Sequence, residues 1–298
     1  MVARGTAVRA DADSVILSYA PALPAAVATT GTQRALVAAV CAVLGLAIGS
    51  FLNVVVHRVP LGESVVHPRS RCPGCETAIA PRDNVPVLSW LLLRGRCRQC
   101  AEPISLRYPL VELACAVLFA VLAFRFGRAT TDLAALPAYL YLAAVGLALA
   151  LIDLAVYKLP NVLTLPSYVV GSLLLLPAAL AGPGLSAWVR GLLGMAVLYA
   201  LYFMLWFVSG GRGMGFGDVK LAGVLGLYLG YLGWGVLAVG TVGGFVAGAI
   251  GGLLLVWRRR GGLRQHIPYG PWMILGALVA VFAGQAISDA YVRATFGV

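Results

Sequence analysis

Long apolar segments, separated by shorter polar ones, alternate along the chain from about residue 35 to about residue 290. A helix of about 20 apolar residues crosses the roughly 30 Å hydrocarbon core of a bilayer, so such segments indicate membrane-spanning helices. The pattern predicts eight of them, at about 35–56, 109–126, 136–153, 162–181, 188–208, 220–232, 234–257 and 270–290.

The division between the sixth and seventh segments depends on length. From Leu221 to Trp257 the sequence contains no charged residue, and one helix over these residues would be about 55 Å long, nearly twice the thickness of the core. The stretch from Gly230 to Gly235 combines flexible glycines with tyrosine and tryptophan, which favour membrane interfaces. We therefore place a turn there.

Residues 1–34 are rich in alanine, and their few charged residues roughly balance. No apolar core follows an early basic cluster at the distance typical of a cleaved signal peptide. We interpret these residues as a mobile N-terminal tail.

The composition agrees with the segment pattern. The chain is 61% hydrophobic and 11% charged, with a mean hydropathy of +0.92, which makes it more apolar than ordinary soluble domains. The predicted fold class is an all-α polytopic membrane protein with about eight transmembrane helices. The prediction includes a small cytoplasmic loop that resembles a zinc ribbon and contains four cysteines.

That loop, residues 57–108, is the only sizeable polar segment, and it carries eight arginines against four acidic residues. Basic residues accumulate in the cytoplasmic loops of membrane proteins, so we place it in the cytoplasm. Few aromatic residues interleave with the basic ones, and the net charge of +11 therefore does not indicate a nucleic-acid partner. The same topology puts further basic residues on the cytoplasmic side: Lys158, Arg212, Lys220, Arg258, Arg259, Arg260 and Arg264.

Two cysteine pairs lie in this loop, and each pair has two residues between its members: Cys72, Cys75, Cys97 and Cys100. This spacing is typical of a closed structural zinc site with four thiolate ligands. Two disulfides are the alternative, which a reducing cytoplasm disfavours. The remaining cysteines, Cys41 and Cys115, lie within apolar segments and are interpreted as packing residues.

Two aspartates occupy equivalent positions at the ends of apolar segments. Asp153 ends the segment 136–153, and Asp218 lies where the long uncharged stretch begins. Ionisable groups at such places are costly and usually functional, although an acid at a helix start can also simply cap backbone N–H groups. Two carboxylates brought together by packing would share a proton and act as general base and general acid around one water.

The residues around Asp218 fit that chemistry. Gly215 and Gly217 would let the backbone approach a substrate strand closely, and Lys220 could bias one aspartate toward its ionised form. The alternative for Lys220 is a lysine whose ammonium group extends to the membrane interface.

Several motifs together resemble the type IV prepilin peptidases over about residues 45–290. In the first half they are GSFLNVVVHRVP at 49–60, the two cysteine pairs, DNVPVLSW at 83–90, RGRC at 94–97 and RYPLVEL at 107–113. In the second half they are ID at 152–153, LPNVLTLP at 159–166, GFGDVKL at 215–221 and IPYGP at 267–271.

The resemblance implies a bifunctional enzyme of the bacterial cytoplasmic membrane. Such enzymes remove the basic leader of type IV prepilins or pseudopilins at the cytoplasmic face, and then methylate the new amino terminus with S-adenosylmethionine. It assigns Asp153 and Asp218 as the catalytic pair of a glycine-x-glycine-aspartate protease. Asn161 departs from the family, which more often has an aspartate there.

The methyl-transfer site is less visible in the sequence. No glycine-rich turn between a strand and a helix marks a nucleotide-binding domain, so binding of the methyl donor follows from the resemblance alone. The candidates are Gly95 and Arg96, beside the second cysteine pair, and Glu112, at the start of the second apolar segment. Their alternatives are a turn glycine, an arginine of the positive cytoplasmic side and an acid at a helix start.

Two rival functions remain. A proton-coupled transporter could use membrane aspartates, but it usually shows repeated halves, which this sequence lacks. A peptidase without methylation would lack the cysteine loop. The resulting domain prediction is a tail at 1–34, an N-terminal domain with the cysteine loop at 35–126, and a membrane aspartic peptidase domain at 127–298.

Overall fold

The computed structural model of the protein describes residues 28–212, 214–259 and 268–297. Residues 1–27 of the predicted tail, and Arg260 and Arg264 of the predicted basic side, lie outside the described residues.

The described chain folds into ten α-helices. They are α1 (Gly31–Arg58), α2 (Leu88–Leu92), α3 (Arg107–Phe126), α4 (Thr130–Leu133), α5 (Leu136–Val156), α6 (Asn161–Ala181), α7 (Leu185–Val208), α8 (Phe216–Leu232), α9 (Trp234–Arg259) and α10 (Gly270–Phe296). Single 3₁₀ turns at Val59–Leu61 and Pro81–Asp83 interrupt the loop between α1 and α3.

The all-α membrane architecture predicted from the sequence is confirmed. Seven of the described helices are long and apolar enough to cross a membrane: α1, α3, α5, α6, α7, α9 and α10. The eighth predicted segment is also helical, but α8 has only 17 residues. At the α-helical rise these span about 26 Å, slightly less than the hydrocarbon core.

The start of α1 corrects the prediction of a tail that extends to residue 34. Thr30 caps the helix, since its side chain accepts a hydrogen bond from the Gln33 N–H while the Gln33 side chain accepts one from the Thr30 N–H. The preceding Thr29 donates hydrogen bonds to the carbonyls of Gly127 and Arg128. Residues 28–34 are therefore fixed against the rest of the protein.

Three helix pairs, α1–α3, α7–α8 and α9–α10, pack closely because glycines remove side chains from their contact lines. A Cβ atom added at Gly49 of α1 would lie 2.6 Å from the Cα of Glu112 in α3. One added at Gly194 of α7 would lie 2.6 Å from the carbonyl oxygen of Gly226 in α8. Backbone atoms at these distances cannot yield, so the pairs depend on glycine there.

Helix α8 lies in the centre of the second half of the chain, where it contacts α6, α7, α9 and α10. Thirteen of its 17 residues are buried. Its last carbonyls need partners inside the protein, and Arg190 of α7 supplies them, donating to the oxygens of Gly230 at 2.8 Å and Tyr231 at 2.7 Å. The other helices thus shield this short helix from lipid along most of its length.

The connections place the cysteine loop and both aspartates at one end of the helix bundle. Helices α1, α3 and α5 follow one another as antiparallel neighbours, so the end of α5, with Asp153, lies beside the loop between α1 and α3. The N-terminus of α10 lies at the same end, because the Gly270 N–H reaches the Asp153 carboxylate. We call this the loop end.

Candidate active site and metal centre

Two buried carboxylates from different helices meet at the loop end. Asp153, in the last turn of α5, has a relative exposure of 5%, and Asp218, in the first turn of α8, has one of 7%. The two carboxylates are close enough to interact electrostatically. The structure therefore brings together the two acids that the sequence singled out, although their catalytic role stays a prediction.

Each carboxylate is held by one backbone N–H. The Gly215 N–H donates to Oδ2 of Asp218 at 3.0 Å, so the acid at the third position of α8 reaches back to the residue that precedes the helix. The Gly270 N–H, at the start of α10, donates to Oδ2 of Asp153, also at 3.0 Å. Each acid keeps its other oxygen for further hydrogen bonds, as a group that binds water or substrate requires.

The side chain of Leu159 lies beside both Gly217 of α8 and Gly270 of α10. A Cβ atom added at Gly217 would lie 3.0 Å from the Cβ of Leu159, and one added at Gly270 would lie 3.3 Å from its Cδ2. A Cβ at Gly270 would also lie 2.9 Å from Oδ2 of Asp153. In this structure Gly217 thus admits the Leu159 side chain, and the predicted close approach to a substrate strand stays a prediction.

Lys220 does not contact either aspartate. Its Nζ donates to Oδ1 of Asn161 at 2.7 Å and lies 5.0 Å from the centre of the Phe216 ring. Asn161 thus takes the lysine's hydrogen bond at the position where the sequence departs from the family pattern. No hydrogen bond or ion pair to an aspartate therefore supports the expected effect of Lys220 on aspartate ionisation.

The four loop cysteines form a cluster that suits a metal ion. Their sulfurs all lie within 4.8 Å of one another, and the Sγ atoms of Cys72 and Cys100 are 3.6 Å apart. A tetrahedral zinc ion with Zn–S bonds of about 2.3 Å requires sulfurs about 3.8 Å apart, so the donor set fits zinc. Every cysteine in the described part of the chain is free of disulfides.

The two cysteine pairs have the same local backbone. In each pair the N–H of the first cysteine donates to the carbonyl of the residue five positions later. The N–H of the residue after the second cysteine donates to the carbonyl of the first cysteine. That following residue, Glu76 or Ala101, has a positive φ angle of 54° or 58°. Hydrogen bonds with the side chain and the backbone of Thr77 lower the pKa of the Cys75 thiol to about 6.

A bidentate ion pair joins the second cysteine pair to the rest of the loop. Arg98, between Cys97 and Cys100, donates to both carboxylate oxygens of Asp83 at 2.7–3.1 Å. The hydrogen bond and the charge of Arg98 lower the pKa of Asp83.

The candidate methyl-transfer residues Gly95 and Glu112 both adjoin the short helix α2. Gly95 follows it in the chain, and Glu112, which lies in α3, binds the residue before it. Oε2 of buried Glu112 accepts a hydrogen bond from the Val87 N–H, just before α2, at 2.7 Å. Gly95, just after α2, has a φ of +67°, and a Cβ there would lie 2.9 Å from the Trp90 indole. The structure thus links two of the three candidates through α2, and Arg96 follows Gly95 directly.

Sequence reasoning gave no role to two residues of the site, Leu159 and Gly270. Both lie within motifs that carry the resemblance, at 159–166 and 267–271, and that was the available signal. Their contacts with Asp153 and Gly217 depend on the packing of α5, α8 and α10, which the linear pattern does not contain.

The chain matches two known protein-family models. Residues 43–126 match the bacterial peptidase A24 N-terminal domain, and residues 140–256 match the type IV leader peptidase family. No solved structure matches the chain significantly.

The chain is also similar over most of its length to curated proteins named prepilin leader peptidase/N-methyltransferase. It is 37% identical to that of Aeromonas hydrophila over 270 residues, which cover 83% of this chain and 90% of the relative. It is 38% identical to that of Burkholderia pseudomallei strain 1026b over 267 residues, which cover 81% and 84%. On the strength of these matches, the chain belongs to the type IV leader peptidase family.

Proposed function

We propose that this protein is a membrane-embedded aspartic endopeptidase that removes the basic leader of type IV prepilins or pseudopilins and then methylates the new amino terminus. Membership of the type IV leader peptidase family and the names of the relatives support both activities. The observation that carries the peptidase assignment is the pair of buried carboxylates, Asp153 and Asp218, at one end of a bundle of membrane helices.

The two acids divide the chemistry of peptide hydrolysis. One ionised carboxylate takes a proton from water as the water oxygen adds to the scissile carbonyl carbon. The other, protonated, carboxyl stabilises the carbonyl oxygen and then supplies the proton that the departing amine needs. Burial and mutual repulsion favour sharing one proton between the two groups, and this mechanism starts from that state. No covalent intermediate is required.

The position of the acids suits the substrate. A prepilin-type protein has a basic leader in water and an apolar helix in the bilayer, so its scissile bond lies where one passes into the other. Asp153 lies in the last turn of α5 and Asp218 in the first turn of α8, so in this proposal both acids lie near the end of the bundle that meets the aqueous phase.

The loop end faces the cytoplasm in this proposal. The described basic residues of the polar loop and the neighbouring turns collect there: Arg58, Arg69, Arg71, Arg82, Arg94, Arg96, Arg98, Arg107, Lys158, Arg212 and Lys220. An excess of arginine and lysine in short loops is typical of the cytoplasmic side of a multi-pass inner membrane protein.

Methylation uses S-adenosylmethionine in this proposal, and the region around α2 is its site. Glu112 of α3 binds the Val87 N–H before this helix, and the Gly95 N–H after it donates to the Trp90 carbonyl, so both candidates lie beside α2. The four cysteines hold a zinc ion that fixes the loop's fold, since four thiolate ligands leave no open coordination position for catalysis.

The peptidase assignment is tested by replacing Asp153 or Asp218 with asparagine and measuring leader removal from a co-expressed prepilin by mass spectrometry. Because each carboxylate has its own task, either variant is expected to lower cleavage by about 1,000-fold or more while the protein still inserts in the membrane. A matched control is Asp132→Asn, whose acid lies in α4 at the opposite end of the bundle.

Normal cleavage by either Asp153→Asn or Asp218→Asn, at wild-type protein level, would refute the assignment. Loss of cleavage in Asp132→Asn to the same degree would indicate a general effect of removing an acid from the bundle, and would also count against it.

A further inference from the structure

The short helix α2 of the polar loop exposes an apolar face. The relative exposure is 52% for Leu88, 58% for Leu91 and 73% for Leu92. Residues at positions i, i+3 and i+4 lie on the same face of a helix, so the three leucines form one surface. A cluster of exposed leucines in an otherwise polar loop indicates a binding surface, and its surroundings show what it binds.

The opposite face of α2 is fixed to the loop. Ser89 is buried, and its hydroxyl donates to the Arg82 carbonyl at 3.0 Å. The indole N–H of Trp90 donates to the Ile104 carbonyl, also at 3.0 Å, and exposed Leu106 follows two residues later. These contacts keep the leucines on the outside. We call four exposed residues the leucine patch: Leu88, Leu91, Leu92 and Leu106.

Helix α3 indicates the depth at which α2 lies. Its 20 residues, Arg107–Phe126, span about 30 Å, which is the thickness of the hydrocarbon core, so its first turn lies at the boundary of that core. Oε2 of Glu112, about 7.5 Å along α3 from Arg107, accepts a hydrogen bond from the Val87 N–H directly before α2. This bond holds the start of α2 near the membrane boundary.

The leucine patch also continues the lipid-facing surface of α3. Along that helix, exposed apolar residues recur every three or four positions after Leu106: Leu110, Leu113, Val117, Val121 and Phe124. This is the spacing of one helix face. Since α3 is long and apolar enough to cross the membrane, its exposed apolar row faces lipid, and the patch lies at the end of that row.

Two exposed arginines flank the leucine patch. Arg107 follows Leu106 directly, and Arg94 is the second residue after α2. The Ile104 N–H donates to the Gly95 carbonyl at 2.7 Å, which keeps the two arginine-bearing segments side by side. Neither arginine forms an ion pair with a described acid. Positive charge beside an exposed apolar face is typical of segments that bind anionic lipids.

We propose that α2 is an interfacial helix. Its leucine patch inserts among the acyl chains at the loop end, and Arg94 and Arg107 bind the phosphate groups of anionic lipids. Lipid is the partner because the patch adjoins the lipid-facing row of α3, lies near the membrane boundary and carries positive charge at its rim. The loop thereby has an attachment to the membrane besides α1 and α3. The inference depends on neither proposed activity.

The test places a fluorescent amino acid at Leu92 of the full chain in nanodiscs of equal parts phosphatidylcholine and phosphatidylglycerol. Two quenchers are compared, a nitroxide on the lipid acyl chain and a water-soluble nitroxide. The acyl-chain nitroxide is expected to quench the probe about threefold more strongly, since an interfacial helix buries its apolar face below the headgroups. The same probe at Val117, in the lipid-facing row of α3, is the reference for contact with lipid.

Two sets of variants separate the contributions of charge and apolar surface. Arg94→Gln combined with Arg107→Gln should reduce acyl-chain quenching at residue 92 about twofold, as should nanodiscs without phosphatidylglycerol. Arg128→Gln, at an exposed arginine beyond the other end of α3, is the matched control and should change nothing. Leu88→Gln combined with Leu91→Gln should make the water-soluble nitroxide the stronger quencher. Thermal unfolding in detergent should stay unchanged, because these side chains are exposed.

Three results at residue 92 of the otherwise unchanged protein would overturn the inference. Stronger quenching by the water-soluble nitroxide would place the leucine patch in water. Protection from both quenchers would show that protein covers it, such as a second copy of this chain. Exposure to water that ends only when a prepilin is added would make it a substrate surface. Quenching that is insensitive to both the arginine variants and the lipid charge would overturn the assignment of phosphate binding.

Discussion

At the scale of single residues, Gly270 holds Asp153 and leaves no space for a side chain. Its N–H donates to Oδ2 of Asp153 at 3.0 Å, and an added Cβ would lie 2.9 Å from that same oxygen. The position of one acid therefore depends directly on a residue that contributes no functional group.

Gly270→Ala is expected to displace Asp153 and to lower the rate of leader cleavage about 10- to 100-fold, because a small misplacement of a reacting group is costly. The measurement is a cleavage time course at equal protein level. Gly243→Ala in α9 is the control, since its added Cβ would meet the nearest atom at an ordinary 3.6 Å. Unimpaired cleavage by Gly270→Ala would show that Asp153 does not need this support.

Lys220 provides a second prediction at this scale. Its ammonium group binds Asn161 and the Phe216 ring, and contacts neither acid. Lys220→Met, which keeps an apolar stem over Phe216, is therefore expected to leave the pH dependence of cleavage unchanged. A shift of the pH profile by more than about half a unit would restore the electrostatic role that the sequence suggested for this lysine.

The sequence predicted the chemically distinctive residues of the site better than the residues that position them. Asp153, Asp218 and the four cysteines stand out because charge and thiol groups are unusual beside apolar segments. Leu159 and Gly270 do not stand out, because a leucine or a glycine beside a helix end has many ordinary roles. Their contacts arise only when α5, α8 and α10 pack together.

At the scale of elements, the cysteine loop combines two nearly identical turns with one ion pair. Each turn has a positive-φ residue after its second cysteine, and Arg98 joins the second turn to Asp83. An exposed ion pair of this kind stabilises little, so we expect metal binding by the four cysteines to contribute more to the loop's stability than the ion pair does.

The purified protein is accordingly expected to contain about one zinc ion per chain, and Cys72→Ser to lose it. Elemental analysis of protein prepared without chelators measures this. Cys115→Ala, which alters a buried cysteine of α3 remote from the loop, should retain the metal. Metal-free wild-type protein with an intact loop would contradict the assignment.

The hydrophobic pattern predicted the number of long helices and their order, but not all their ends. It started α1 at residue 35 and α8 at residue 220, each four residues late. Both helices begin with polar or small residues that form capping hydrogen bonds, by Thr30 with Gln33 and by Gly215 with Asp218. Such residues do not extend an apolar pattern, although they are good helix starts.

At the scale of the whole molecule, the proposed sites of both reactions lie at the loop end. The acids lie within the bundle, and the region around α2 lies in the adjoining loop, connected to α3 through Glu112. A new amino terminus would therefore form on the same side of the membrane as the residues proposed to methylate it.

Glu112→Gln should separate the two reactions. The amide oxygen can still accept the Val87 N–H, so the loop keeps its anchor, but the negative charge is lost. We expect nearly normal leader removal and about tenfold less methylation, both measured in one mass spectrum of the product. Glu63→Gln, at an exposed acid of the same loop, is the control. Equal loss of both products would indicate that Glu112 supports the fold alone.

The short central helix α8 also bears on how the protein is made. A 17-residue segment with four glycines and Asp218 in its first turn would partition poorly into lipid if it emerged alone during synthesis. Helix α7 precedes it, packs closely along it and supplies Arg190 to its far end. The two helices would therefore enter the bilayer together, as a pre-paired unit. Insertion of α8, and with it the placement of the proposed catalytic acid Asp218, would thus depend on the more hydrophobic helix α7.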